Sequence, residues 1–125
     1  MATIVHFEIP SDNIERTKKF YSGLFGWKME KMPGPMEYWM FTTTNEKGEK
    51  MIGGGIMKKM HPQQPITNYI SVPSVDEYTK KVQSLGGKVV VPKTEVPGYG
   101  YFAQCVDTEG NVFAIWEATQ THRQS

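Results

Sequence analysis

The chain repeats itself. The run "IPSDNIERTKK" (9–19) reads against "VPSVDEYTKK" (72–81) with one residue deleted, so Pro10 and Pro73 lie 63 positions apart and Thr17 and Thr79 lie 62 apart. Further on, "MPG" ending at Gly34 answers "VPG" ending at Gly98, and Gly48 answers Gly110. Matches that keep their order along both halves define two copies of one unit of about 60 residues. Each copy is then a supersecondary unit that buries one face by itself and needs the other copy to close the second.

The grammar of the two copies is the same. "TIVHFEI" and "TNYISV" alternate like strands and end at a proline. A helix follows each. Asp12 and Glu15 are spaced as a capping box before a stripe of Ile14, Thr17, Tyr21 and Leu24; Ser74 and Glu77 do the same before Val75, Tyr78, Val82 and Leu85. Gly26 and the Gly86-Gly87 pair supply the left-handed stop. Three strand-like segments come after each helix, at 27–32, 37–44 and 50–57, then at 88–95, 100–106 and 111–118. The spacing predicts an α+β fold of tandem βαβββ modules forming a cupped mixed sheet, helices outside and a ligand-sized hollow inside. Module one is 1–57, "KKMHPQQP" (58–65) is the linker, module two is 66–118 and 119–125 is a polar tail, all within a single domain.

Composition removes several classes of partner. A net charge of +1 gives no basic patch for nucleic acid or a membrane surface. No apolar run approaches the roughly 18 residues of a spanning helix, and the N-terminus lacks a signal-peptide pattern. The lone cysteine, Cys105, forms no internal disulfide. The expectation is a cytoplasmic protein with a small-molecule ligand.

"VHFEIPSDNIERTKKFYSGLFGW", then "MIGGGI", then "GGKVVVPKTEVPGYGYFAQCVDTEGNVFAIWE" resemble the vicinal oxygen chelate superfamily, which includes glyoxalase I, bleomycin- and fosfomycin-resistance proteins and extradiol dioxygenases. The resemblance covers residues 3–118. It implies the paired βαβββ modules and commonly a homodimer, without fixing a reaction. Metal-using members of that superfamily take one ligand from the first and one from the last strand of each module. Carried over by flanking motifs, the four positions fall on His6, Thr67, Ile52 and Ala114. One imidazole does not hold a catalytic ion, which needs about three protein ligands. No metal and no cofactor are expected.

Alternation assigns faces independently of that resemblance. Val5, Phe7 and Ile9 suit packing under the first helix, so His6 and Glu8 face the hollow. Ile70 and Val72 go under the second helix, leaving Thr67, Tyr69 and Ser71 inward. Phe113 and Ile115 go outward, leaving Val112, Ala114 and Trp116 inward. The strands "EYWMFTT" and "YGYFAQC" are aromatic on both faces, so Tyr38 or Trp39, and Tyr101 or Phe102, rim the cup. The candidate ligand-binding set is His6, Glu8, Tyr69, Ser71, Tyr101 and Trp116; no catalytic residue is assigned.

Other features have plainer readings. Gly53-Gly54-Gly55 lacks the spacing of a phosphate loop and reads as close packing of a strand. Cys105 has no neighbouring base or helix start to activate it. His61 sits in the linker and His122 in the tail, the eight methionines fill irregular gaps, and Glu117 is phased outward. The sequence thus points to a glyoxalase-like, metal-independent pocket for a small flat or amphipathic molecule. A divergent divalent-metal enzyme and a ligand-free dimerisation module are the alternatives.

Overall fold

The protein's structure, a computed structural model, describes residues 2–119. The described residues divide into two compact units: 6–66, and 67–119 together with 2–5. The first module contains β1 (Thr3–Ser11), α1 (Ile14–Phe25), β2 (Lys28–Lys31), β3 (Tyr38–Thr42) and β4 (Gly53–Lys58). The second contains β5 (Thr67–Ser71), α2 (Val75–Ser84), β6 (Lys88–Val96), β7 (Gly100–Val106) and β8 (Val112–Ala118). This is the α+β, twice-βαβββ arrangement expected from the repeat. Within the first module the strand order is β2-β3-β4-β1, with β1 parallel to β4 and β3 antiparallel to both its neighbours. The second repeats it as β6-β7-β8-β5, with β5 parallel to β8. The tail residues 120–125, His122 among them, lie outside the described residues.

Helix starts follow local side-chain chemistry, with one correction to the expected caps. Asn13, not Asp12, is the N-cap of α1: its side chain accepts from the Arg16 N–H at 3.0 Å, while Asp12 pairs with Lys59 at 3.3 Å. In α2, Ser74 accepts from the Glu77 N–H at 3.1 Å as its spacing predicts, and the Glu117 carboxylate takes the Val75 N–H at 2.9 Å. Gly26, at φ 72°, closes α1 in the left-handed conformation and turns Trp27 back over the helix.

Two expected members of the helix stripes are not in the core. Leu24 is 59% exposed and Leu85 is 78% exposed. Both lie ten residues beyond the first buried position of their stripe, and at about 100° per residue that rotates them roughly 80° off the packed face. The residues that remain do pack. Ile9, Ile14, Phe41 and Ile56 are buried in the first module, joined by Phe7, Tyr21, Trp27, Met29 and Trp39. Trp27 is stacked between Tyr21 and Phe41, with centroids 5.4 and 4.6 Å away and both pairs within 3° of parallel. The second core is mostly aliphatic: Val72, Val75, Ala103, Cys105 and Ile115. Cys105 is fully buried and burial pushes its thiol pKa up, so it packs as a small apolar group.

The hairpins closing each module are also duplicated. Asn45 Oδ1 accepts from the N–H groups of Lys47 and Glu49, and Asp107 Oδ1 accepts from those of Glu109 and Asn111. The Asn111 backbone N–H and amide, followed by the Glu109 N–H, hold the Asp107 carboxyl below the usual range.

Candidate functional site

Successive side chains of a strand point to opposite faces, so once Phe7 and Ile9 pack beneath α1, His6 and Glu8 must emerge on the other side. The structure places them there and adds a third residue. On β3, Trp39 and Phe41 belong to the helix-side core, which turns Tyr38 to the face of His6 and Glu8. The Tyr38 hydroxyl donates to Glu8 Oε2 at 2.8 Å and lies 2.8 Å from His6 Nε2. A phenol has one proton. With that proton directed to Glu8, the Nε2 of His6 carries hydrogen and donates to the phenol oxygen; the opposite polarity requires protonated Glu8 and the other imidazole tautomer. The three side chains form one hydrogen-bonded row.

Burial sets the charge of the row. Desolvation pushes the His6 pKa down to about 4, so the imidazole is neutral at physiological pH. Neither Glu8 nor His6 is a bare buried polar group, because Tyr38 bridges them. The bridge depends on glycine. β1 and β4 run side by side with His6 beside Gly53 and Glu8 beside Gly55. A Cβ on Gly55 would fall on the Tyr38 hydroxyl and ring, and a Cβ on Gly54 would meet the Phe7 carbonyl and the Phe41 ring. The triple glycine is therefore the floor on which two aromatic side chains lie, one on each face of β4.

The second module's own helix-free face collects a different set. Ile70 and Val72 pack under α2, so Tyr69 and Ser71 take the other side, and Ser71 sits beside Trp116 in the β5–β8 ladder. Tyr69 lies 6.2 Å from Phe102, whose ladder partner is Trp116. Tyr101 is not part of this group. It shares its face with Ala103 and Cys105, packs on the α2 core and carries Lys93 4.6 Å from its ring. Phe102 holds the position left open between the two, because the buried small residues at 103 and 105 fix the phase of β7. Glu117 serves as the second cap of α2 rather than as a free acid.

Alternation leaves the face of Tyr38 open, because β3 is aromatic on both sides. The signal was present in Gly55, since a glycine in a strand marks a close approach and an aromatic two strands from Glu8 is the group that needs it.

Of the four positions that the resemblance implies for an ion, His6, Thr67, Ile52 and Ala114, His6 pairs with Gly53 in the β1–β4 ladder and Ala114 pairs with Tyr69 in the β5–β8 ladder. Ile52 is 45% exposed just before β4, and Thr67 is buried. Two of the four positions have no donor atom. Among the described residues no group of three or more His, Cys, Asp or Glu side chains stands close enough to hold an ion. A divalent ion held between His6 and Glu8 would also have to displace the Tyr38 hydroxyl that bridges them. The donor set does not fit a metal centre.

Two βαβββ modules with this strand order make the glyoxalase-type α+β fold. The family model described as the Glyoxalase/Bleomycin resistance protein/Dioxygenase superfamily matches residues 3–115, and this protein belongs to that family. A Glyoxylase-like domain-containing protein of Didymella fabae is 32% identical over 115 residues, covering 86% of this chain and 88% of that one. CFP32 of Mycobacterium bovis is 31% identical over 106 residues, or 82% of this chain and 41% of that protein. The Anthracycline biosynthesis protein DnrV of Streptomyces peucetius is 28% identical over 123 residues, or 88% and 45%. The chain thus spans less than half the length of the latter two. Among solved structures, a methylmalonyl-CoA epimerase in complex with methylmalonyl-CoA and NH4+ matches with a TM-score of 0.71 at 11% identity, covering 96% of both chains. A superfamily member from Vibrio splendidus 12B01 matches at 0.67 and 9% identity, covering 94% of this chain and 99% of that one. Likeness at such identities shows the fold alone.

Proposed function

We propose that this protein binds a small organic molecule on the helix-free face of its first module, with His6, Tyr38 and Glu8 as polar contacts and without a divalent ion. The observation that carries this reading is the hydrogen-bonded row itself: three polar side chains converge at 2.8 Å contacts where a packed strand face would have apolar ones. A neutral imidazole, a phenol and a carboxylate offer a ligand donors and acceptors without a fixed positive charge, which suits a carbonyl or hydroxyl group on a flat body. The S. peucetius relative, named for anthracycline biosynthesis, supports a flat ligand class. Where the bound molecule carries a labile proton, Glu8 is the acceptor and Tyr38 the group that returns a proton, within the reach general acid–base catalysis requires. On the second module, Tyr69, Ser71 and Trp116 are the proposed ligand contacts of that module's own face.

The test is a thermal-shift screen of the purified chain against small carbonyl and quinone compounds, run in EDTA, with hits re-measured on Tyr38→Phe and Glu8→Gln. Hits survive the chelator and are weakened about tenfold by either change, the size of one or two lost polar contacts. Tight stoichiometric Ni, Zn or Mn binding in calorimetry, abolished by His6→Ala, overturns the metal-free reading.

A further inference from the structure

The geometry points to a second small-molecule site, separate from the His6–Tyr38–Glu8 row: an anion groove between the first half of α1 and the end of β1 that takes a carboxylate borne on a flat aromatic body. The groove has a volume of about 360 Å³ and is lined by Ile9, Pro10, Arg16, Thr17, Phe20 and Tyr21. That volume lies at the small end of the range ligand sites occupy, roughly 300–1,000 Å³.

Its walls are aromatic. Phe20 is 59% exposed and stands edge-on to Tyr21, with centroids 5.2 Å apart and rings at 88°. Tyr21 is itself stacked on Trp27, so the exposed Phe20 ring is the one against which a further flat ring can lie. The floor, Ile9 and Pro10, is apolar, and Thr17 is held in place by a 2.6 Å hydrogen bond with Ser11.

Its charge is unbalanced. The two acids nearest Arg16 in sequence are already engaged by lysines, Glu15 by Lys18 at 3.0 Å and Asp12 by Lys59 at 3.3 Å. Among the described residues no hydrogen bond or ion pair involves the Arg16 guanidinium. A planar, permanently charged fork beside an exposed aromatic ring is complementary to a planar carboxylate, which it binds through two parallel hydrogen bonds. A fatty chain would not use the ring face, and a neutral arene would leave the guanidinium unmatched.

The experiment uses the ¹⁵N-labelled full chain and two probes of the same shape, 2-naphthoate and 2-naphthylmethanol. The carboxylate moves the amide signals of residues 16–21 saturably, and the alcohol binds roughly fivefold or more weakly, as loss of one exposed charge-assisted contact predicts. Arg16→Gln brings the carboxylate down to the level of the alcohol, and Phe20→Ala weakens both. Both positions are exposed on the helix, and circular dichroism checks the fold; if Phe20→Ala disturbs it, Arg16→Gln decides alone. Equal affinity for the two probes, shifts indifferent to Arg16→Gln, or shifts centred on His6 and Glu8 overturn the proposal. So does a groove filled by a second copy, seen as the same amides moving on dilution of the chain without any probe.

Discussion

In the first module a tyrosine on β3, Tyr38, lies over a glycine on β4, Gly55; in the second the corresponding positions are Gly100 on β7 and Trp116 on β8. The correspondence follows from the ladders, where Met40 pairs with Gly55 and Phe102 pairs with Trp116. A Cβ on Gly100 would come within 3.0 Å of the Trp116 ring, just as one on Gly55 would strike Tyr38. Both modules therefore place one large side chain over one glycine, but from opposite strands. The strand beside them differs in step: His6 and Glu8 in one module answer Tyr69 and Ser71 in the other. The scaffold is shared and the chemistry is not. Duplication left two equal frames, and the polar row was built on only one.

The largest difference concerns the cores. Phe41, 2% exposed and stacked on Trp27, corresponds in β7 to Ala103. Phe41→Ala is expected to cost about 3–5 kcal/mol in urea unfolding, because it empties an aromatic stack that cannot collapse around a glycine floor. The change Ala103→Gly removes one methyl and costs on the order of 1 kcal/mol. If the two losses are equal, the first module's stability does not rest on its aromatic stack.

Acidification separates the modules next. His6 is pushed to about 4 from an ordinary value of 6.5, so between those pH values the unfolded chain binds a proton that the folded chain refuses. Stability from this group is complete above 6.5, falls as pH drops toward 4 and levels below it, a loss of about 3 kcal/mol. The second module has Tyr69 at that place, so no imidazole there adds to this decline. Denaturation midpoints followed from neutral pH to 4 in His6→Gln should lose this part of the decline; an unchanged curve would mean that burial does not hold the imidazole neutral.

Gly55→Ala comes third. The three atoms nearest the new methyl all belong to the Tyr38 phenol, so it should cost about 1–3 kcal/mol alone and much less in a Tyr38→Ala background. A cycle with no coupling would place the strain elsewhere.

These experiments bear on residues of unequal legibility. The repeat, the strand–helix order and the faces of β5, β8 and β1 from His6 onward follow from alternation and from prolines and glycines at fixed offsets, while Val5, expected under α1 with Phe7 and Ile9, is 40% exposed and packs in neither core. The faces of β3 and β7 do not follow: with aromatics on both sides, periodicity is silent. What phases them is across the sheet, at Gly54 and Gly55 in one module and at the buried pair Ala103 and Cys105 in the other. Tyr38 was visible only as one of two candidates, and Tyr101 went to the wrong face for the same reason. Leu24 and Leu85 failed together because a stripe read over ten residues drifts off the helix face.

The smallest effect tests whether the two helix starts are equally secured. α1 begins on Asn13 alone among its side-chain caps, whereas α2 has Ser74 on the Glu77 N–H and Glu117 on the Val75 N–H. A lost cap leaves backbone donors to water and costs about 0.5–2 kcal/mol. Asn13→Ala should therefore sit near the upper half of that range and Ser74→Ala near the lower, since Glu117 still places a negative charge at the start of α2 and offsets part of the loss. Adding Glu117→Gln to Ser74→Ala should bring the second module's loss up to that of the first. Were Ser74→Ala the more damaging single change, Glu117 would be serving a different group, and its availability to a ligand would have to be reconsidered.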